Sequence, residues 1–185
     1  MKKILLISLM IISVIFVSGC VQQEMGKYEI DYYNNTLTFN SNLQEAKYIP
    51  VYPDNATLKD TLLGYSVAGV QFVYYKNDTE APYYAKSLVS FASKYTKMNK
   101  IMWNYNMNGK ITSVILNNTN QYPNATVEDP AIMLYGPAFT NETKIVVDGH
   151  VVKVYAKDLS LRQGKYAQYT DFDLAMDKII LVLAD

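Results

Sequence analysis

Hydrophobic and polar positions divide the chain into a start, a tether and a long patterned remainder. Residues 4–17 are apolar except for Ser8 and Ser13, and residues 20–27 are mostly polar. From Tyr28 onward, short apolar or β-branched runs alternate with clusters of Asn, Asp, Gly and Pro, which is typical of strands joined by turns. We therefore expect an N-terminal segment 1–19, a short tether 20–27 and one folded domain 28–185.

Turn dipeptides between alternating runs predict several hairpins. Asn34-Asn35, Asn108-Gly109 and Asp148-Gly149 each lie between two such runs. Asn, Asp and Gly tolerate the positive φ angles that two-residue hairpin turns require. We expect a hairpin centred on each of these three dipeptides.

Helical spacing of apolar residues appears between the strand-like segments. Asn55–Leu63 follows Asp54, a typical capping residue, and a second helix is expected to reach about Lys97, with Leu88 and Phe91 on one face. The runs before and after this second helix, 67–75 and 100–106, are expected to be strands. Together they predict a βαβ unit over about 67–106.

The pattern as a whole predicts an α/β fold. We expect a single compact domain with a mixed β-sheet, several hairpins, the βαβ unit at about 67–106 and flanking helices. A last helix is expected at about 171–178, followed by an apolar run at 179–184.

The first twenty residues have the layout of an export signal. Lys2 and Lys3 precede the apolar run, which is shorter than the roughly 20 residues that a membrane-spanning helix needs. The sequence Val17-Ser18-Gly19-Cys20 resembles the lipobox of exported lipoproteins. That resemblance implies cleavage before Cys20, a lipid on its thiol and a domain anchored on the extracytoplasmic side of the cell membrane. An uncleaved signal anchor is the alternative, and it places the domain on the same side.

Cysteine and charge content exclude several classes of function. Cys20 is the only cysteine, so neither an internal disulfide nor a thiolate metal cluster can form. The full chain has 17 basic and 17 acidic residues, and loss of Lys2 and Lys3 would leave it slightly acidic, with Arg162 as the only arginine. We expect no nucleic-acid partner, no metal site and no cofactor.

Asparagine recurs in Asn-x-Thr sequons, which accept N-linked glycans in exported proteins. The six candidate glycosylation sites are Asn34, Asn55, Asn77, Asn117, Asn124 and Asn141. Sequons, a lipobox and an arginine-poor, tyrosine-rich composition together resemble archaeal, methanogen-type cell-surface lipoproteins. The alternative is that an Asn- and Thr-rich composition produces sequons by accident.

Few residues suggest catalysis. Ser66 lies in a sequence close to a Gly-x-Ser-x-Gly elbow, but a helix is expected before it and a strand after it, the reverse of the order the elbow needs. His150, the only histidine, is expected in an exposed turn. The acidic residues Glu128, Asp129, Asp171 and Asp173 are not predicted to converge, and the last two are expected to favour the start of the final helix.

Paired tyrosines are the best candidates for recognition. Tyr32-Tyr33, Tyr74-Tyr75 and Tyr83-Tyr84 each place one ring where it could be exposed, although half-buried tyrosines are also common in strands. We expect a non-catalytic binding or structural module of the cell envelope, with an envelope protein or a glycan as partner. The alternatives are an accessory subunit of a membrane complex and an extracellular hydrolase.

Overall fold

A computed structural model describes residues 28–33, 35–75, 79–102, 110–117 and 121–185, without the side chains of residues 99–102. Within these residues the strands are β1 Glu29–Tyr32, β2 Asn35–Thr38, β3 Val51–Tyr52, β4 Gly69–Tyr75, β5 Lys110–Leu116, β6 Ala131–Tyr135, β7 Lys144–Asp148, β8 Val151–Tyr155, β9 Arg162–Gln163 and β10 Gln168–Tyr169. The helices are α1 Leu43–Lys47, α2 Asn55–Leu63, α3 Ala81–Met102 and α4 Asp171–Ala184.

Six strands form one mixed sheet in the order β3-β7-β8-β6-β4-β5. Neighbouring strands are parallel except for β7 and β8, which form an antiparallel hairpin. The pairs β1-β2 and β9-β10 form two small antiparallel ribbons. The expected α/β class, with a mixed sheet, hairpins and flanking helices, is confirmed.

The two faces of the sheet differ in what covers them. On one, the covered face, side chains such as Phe72, Ile132 and Val154 pack into a core shared with the helices. Helix α4 is buried along most of its length, including Phe172 and Ile179. Each fully buried side chain of this size contributes about 2 kcal/mol. The opposite, open face carries a smaller cluster that includes Val73, Met133 and Val151.

Segment 121–130 has no helix or strand and lies across part of the open face. The Gln71 side chain donates to the carbonyls of Asn124 and Asp129, at 3.2 and 3.0 Å, and Ala125 packs on the small cluster. These contacts lie near the amino end of β4. Among the described residues, the carboxyl end of the open face therefore lacks this cover.

The βαβ unit is present, but it is longer than the sequence predicts. Helix α3 continues to Met102, so the expected strand at 100–106 is wrong for residues 100–102, and residues 103–106 lie outside the described residues. Phe91, Tyr95 and Met98 are all buried, which extends the apolar stripe of the helix beyond Lys97. The second strand of the unit is β5, which pairs in parallel with β4.

Local signals elsewhere agree with the structure. Helix α2 has the expected bounds, and the Asp54 carboxylate accepts the Thr57 N–H at 2.8 Å, which lowers the pKa of Asp54. The β7-β8 hairpin is confirmed, with Gly149 at φ 59°. The β1-β2 hairpin is also present, but Tyr33 adopts φ 44° and Asn35 is already in β2. The Asn108-Gly109 turn lies outside the described residues.

The end of the chain is one helix where the sequence predicts a helix and a separate apolar run. Helix α4 extends through residues 179–184 to Ala184. Asp173 accepts the backbone N–H of Thr170 at 2.8 Å and forms a capping box with it. Asp171 also lies in the first turn, so both carboxylates have the expected position at the helix start, where they interact favourably with the helix dipole.

Candidate functional site

Three neighbouring parallel strands end in tyrosine. Tyr75, Tyr135 and Tyr155 are the last residues of β4, β6 and β8. Tyr135 is paired in register with Tyr155, and Val73 with Met133 two residues earlier. Because side chains alternate along a strand, all three rings project from the open face at the carboxyl edge of the sheet. We call this surface, together with Phe139 and Lys144, the tyrosine face.

The rings of the tyrosine face pack against one another. Tyr135 and Tyr155 are stacked with centroids 4.9 Å apart and an interplanar angle of 15°. Phe139, in the turn after β6, meets the Tyr135 ring edge-on at 5.5 Å. The Lys144 ammonium lies 5.8 Å from the Tyr155 centroid. Packing between rings holds this surface in one geometry before any ligand arrives.

The Tyr135 phenol of this surface resists ionisation. Burial raises the pKa of its phenol, and a hydrogen bond with Tyr75 adds to the effect. The neighbouring phenols of Tyr155 and Tyr122 raise it further. The hydroxyl therefore stays protonated at neutral pH and can both donate and accept hydrogen bonds.

A second group extends the tyrosine face toward the end of the sheet at which β8 begins. The Asp148 carboxylate accepts the Tyr122 hydroxyl at 3.0 Å and the Lys153 ammonium at 2.7 Å. These two donors hold the pKa of Asp148 below its usual range. Lys153 also lies 5.0 Å from the Tyr122 centroid. The charge of Lys153 is thus matched by the Asp148 carboxylate. The charge of Lys144 is matched in the same way by Glu142, at 3.2 Å.

The tyrosine face lies where the strand order reverses. From β4 the chain passes to β5 on one side, whereas β6 lies on the other side. In open α/β sheets, ligands bind at such switch points, beyond the carboxyl ends of the strands. Here Glu80 accepts the Tyr84 hydroxyl at 2.8 Å and lies against Gly136. A Cβ at Gly136 would be 1.5 Å from the Glu80 carboxylate, so glycine leaves the space that this carboxylate occupies.

The arrangement suits binding to a polar, uncharged ligand. Phe139 is 50% exposed and offers a ring for apolar contact. Tyr135 and Tyr155 are partly exposed. Because the two rings stack on each other, mainly their edges and hydroxyls remain available to a ligand. Since both lysines are paired with carboxylates, the surface has no strong net charge.

The tyrosine pairs predicted from sequence are only partly in this site. Tyr75 belongs to it, whereas Tyr74 lies on the covered face. Tyr33 and Tyr83 are exposed, and their neighbours Tyr32 and Tyr84 are buried.

Four aromatic residues of this surface were not predicted from the sequence: Tyr122, Tyr135, Phe139 and Tyr155. A signal for two of them was present, because the runs 131–135 and 151–155 both end in tyrosine, as 69–75 does.

The candidate glycosylation sites are distributed over the surface. The sequon asparagines that the structure describes are all exposed: Asn55, Asn117, Asn124 and Asn141. Asn34, Asn77 and Cys20 lie outside the described residues. Asn124 and Asn141 belong to the segments that border the tyrosine face.

The candidate catalytic residues occupy separate positions. Ser66 precedes β4 and His150 precedes β8, and β6 lies between these two strands. Glu128 and Asp129 lie near the amino end of β4, where Ala68 and Gly69 donate to the Glu128 carbonyl. Asp171 and Asp173 begin α4 beyond the carboxyl end of β8. One acidic pair thus lies where the parallel strands begin, and the other lies beyond the end of β8.

Buried polar side chains form a separate network between α3 and α4. Lys94 and Asp177 form an ion pair at 3.1 Å, and Ser41 also donates to Asp177. Ser87 donates to Asp173 at 2.9 Å. Each of these groups has a partner, so the network is read as a structural link between the helices.

A cavity of about 490 Å³ lies between α3 and the strands β4 and β5. Its wall is mostly apolar and includes Ala85, Leu88, Val89 and Ile111. It is on the covered face, away from the tyrosine face.

The described residues contain neither a membrane-spanning helix nor a group of metal-ligating side chains. None of the helices there has the length and apolar character needed to cross a bilayer. In the same part of the chain, no three His, Cys, Asp or Glu side chains are grouped so that they could hold a metal ion.

No protein-family model matches this sequence, and neither a curated protein nor a solved structure matches it at a significant level.

Proposed function

We propose that this chain is a lipid-anchored protein on the extracytoplasmic side of the cell membrane, whose domain is a non-catalytic binding or structural module of the cell envelope, with binding as the favoured role. The lipobox-like sequence ending at Cys20 supports the anchor. The observation that carries the binding role is the tyrosine face, a preorganised aromatic surface at a topological switch point.

We further propose that the ligand is an envelope glycan. Phenol hydroxyls and an exposed phenyl ring match the alternating polar and apolar surfaces of a sugar, and the locally paired charges favour an uncharged partner. Two sequons border the same surface, and glycans on Asn124 and Asn141 would obstruct a broad protein partner more than a single oligosaccharide.

Binding is tested with the chain from residue 20 onward carrying Cys20→Ser, so that no lipid contributes. The probe is the delipidated polysaccharide fraction of the host's own envelope, and affinity is measured by calorimetry. Phe139→Ala and Tyr155→Ala should each weaken binding roughly five- to tenfold, because one aromatic contact contributes about 1 kcal/mol or somewhat more.

Tyr48→Ala is the matched control, since Tyr48 is 86% exposed and lies in the turn after α1, outside the tyrosine face. The control should bind as the parent does. The glycan proposal is wrong if the parent shows no saturable binding, or if all three substitutions have the same effect.

The anchor is tested in the native host with the full-length chain. Cys20→Ser should move the protein from the membrane fraction to the medium, or leave it as an unprocessed precursor. An unchanged, fully processed membrane form would contradict the lipid anchor.

A further inference from the structure

Aromatic residues recur two positions before the sequon asparagines. This position is aromatic in four of the six sequons, where Tyr32, Tyr75, Tyr122 and Phe139 precede Asn34, Asn77, Asn124 and Asn141. Aromatic residues make up 13% of the chain, so fewer than one such coincidence among six sequons would be expected. The excess indicates a physical link between the ring and the asparagine that follows it.

The structure divides these four rings into two pairs. Tyr32 and Tyr75 are buried, with only 5% and 8% of their surface exposed. Tyr122 and Phe139 are 53% and 50% exposed. A ring must be exposed to contact a sugar on a neighbouring asparagine, so the contact is available in the sequons that follow Tyr122 and Phe139.

Tyr122 and Asn124 lie on the same side of the segment that crosses the open face. Both are exposed, whereas Pro123 between them is buried and Ala125 packs on the small cluster of the sheet. This alternation is typical of an extended chain, in which residues two positions apart point in the same direction. The Tyr122 ring and the Asn124 side chain therefore face solvent next to each other.

Phe139 and Asn141 are also close together, in the turn after β6. Both are exposed, and the Thr140 hydroxyl between them donates to the Glu142 carbonyl at 2.9 Å and accepts the Glu142 N–H at 3.1 Å. Two trans peptide units place the Cα atoms of Phe139 and Asn141 at most about 7.6 Å apart. An asparagine side chain that carries a sugar ring can span this separation.

Each of the two exposed rings is held in place by protein contacts. Asp148 accepts the Tyr122 hydroxyl at 3.0 Å, and the Lys153 ammonium lies 5.0 Å from the Tyr122 centroid. The Phe139 ring meets the Tyr135 ring edge-on at 5.5 Å. A sugar that packs on such a ring therefore pays little for ordering the protein.

We propose that Asn124 and Asn141 carry N-linked glycans whose first sugar residues pack on the rings of Tyr122 and Phe139. One face of a sugar ring is lined with C–H groups, which match the electron-rich face of an aromatic ring. The proposal rests on the extracytoplasmic location proposed above, because N-glycans are added to exported chains.

The glycan comes from an oligosaccharide linked through phosphate to a membrane lipid. The asparagine side-chain nitrogen forms a bond to C1 of the first sugar, and the bond between C1 and the phosphate oxygen breaks. The phosphate oxygen keeps the bonding electron pair, and the proton lost by the amide balances the charge of the lipid phosphate that is released.

The two glycans flank the tyrosine face at its two ends. Phe139 belongs to that face, and Tyr122 lies at the end of the sheet where β8 begins. A sugar packed on Phe139 competes with an external ligand for the same ring. Glycosylation of Asn141 therefore lowers the affinity of the tyrosine face for the ligand proposed above.

The first test is the occupancy of the two sequons in the protein purified from its native host. Mass spectrometry of its glycopeptides should show a glycan on both Asn124 and Asn141. An asparagine found without a glycan overturns the proposal at that ring.

The second test couples glycan and ring through thermal denaturation of the glycosylated protein. Phe139→Ala should lower the Tm of the parent by about 2–4 °C more than it lowers the Tm of Asn141→Gln, because the contact between ring and sugar exists only in the parent. Tyr122→Ala and Asn124→Gln form the second pair, with the same expectation. Contacts between each ring and the protein cancel in this comparison.

Asn55→Gln is the matched control for these measurements. Asn55 is an exposed sequon asparagine, and the residue two positions before it is Pro53 and not an aromatic residue. The cost of Phe139→Ala should be the same in Asn55→Gln as in the parent. If that cost is also the same in Asn141→Gln, the ring and the sugar are not in contact and the proposal is overturned.

The third test separates this proposal from the proposed function. Asn141→Gln should bind the delipidated polysaccharide fraction roughly five- to tenfold more tightly than the glycosylated parent, the range expected for one aromatic contact. Equal affinities of the two forms would overturn the competition for Phe139. Absence of binding to both forms would refute the glycan ligand alone, because thermal denaturation decides the ring–sugar contact without any ligand.

Discussion

The ammonium group of Lys94 lies 3.1 Å from the Asp177 carboxylate, and both side chains are buried between α3 and α4. Removing one partner of a buried pair leaves the other charge without compensation. Lys94→Met should therefore lower the free energy of unfolding by about 3 kcal/mol, as measured by urea denaturation at neutral pH.

The pH dependence of this loss distinguishes charge from packing. Burial raises the pKa of Asp177, and Lys94 acts in the opposite direction. In Lys94→Met the ammonium no longer opposes the effects of burial and of the nearby Asp173 carboxylate. The pKa of Asp177 therefore rises further, and Asp177 takes up a proton more readily. The deficit should be largest at neutral pH and should shrink as the pH falls toward about 4, the value for an unfolded aspartate. A deficit that does not change with pH would indicate lost packing instead.

Asp173 connects the start of α4 to α3. It accepts the Thr170 N–H at 2.8 Å and the Ser87 hydroxyl at 2.9 Å. Asp173→Ala leaves both buried donors without this acceptor, so we expect a loss of about 2–3 kcal/mol in unfolding free energy. Asp173→Asn keeps one acceptor oxygen and should lose less. Equal losses for the two variants would argue against this role.

Tyr135 makes the stability of the domain sensitive to alkaline pH. Its pKa is raised by burial and by the hydrogen bond with Tyr75, whereas an unfolded tyrosine ionises near pH 10. Its stabilising contribution is complete below about pH 10 and is lost as the pH rises toward the folded pKa. Tyr135→Phe should make the alkaline fall in Tm less steep. Tyr48→Phe, at an exposed ring, is the control, and an identical slope in both variants would contradict the prediction.

Gly149 adopts φ 59° in the β7-β8 turn, with no other atom near its missing side chain. A substitution there is limited by backbone conformation and not by space. Gly149→Val should cost about 1–2 kcal/mol, because β-branched residues resist the left-handed region. Gly149→Asn should cost much less. Thermal denaturation of the two variants measures the difference, and equal costs would contradict this explanation.

Local chemistry made much of the fold predictable from the sequence. The Asp54 cap sets the start of α2, and the Asp148-Gly149 pair marks the β7-β8 turn, because both signals act within a few residues. The strand expected at 100–106 is wrong for residues 100–102, because tertiary packing there outweighs the local pattern. Its β-prone residues follow the apolar stripe of α3, and packing through Met98 keeps the chain helical.

The candidate site needed information that a single sequence does not contain. Tyr135 and Tyr155 become neighbours only because β6 pairs in parallel with β8, and strand order is not encoded in local pattern. Lys94 and Asp177 are likewise 83 residues apart. Both contacts arise from tertiary packing.

Intact-mass analysis of the protein extracted from its native membrane tests the central claim most directly. We predict a polypeptide that begins at Cys20 and carries the added mass of a lipid with two long chains, the number needed for stable anchoring. A polypeptide that begins at any other residue, or one that begins at Cys20 without lipid mass, would contradict it.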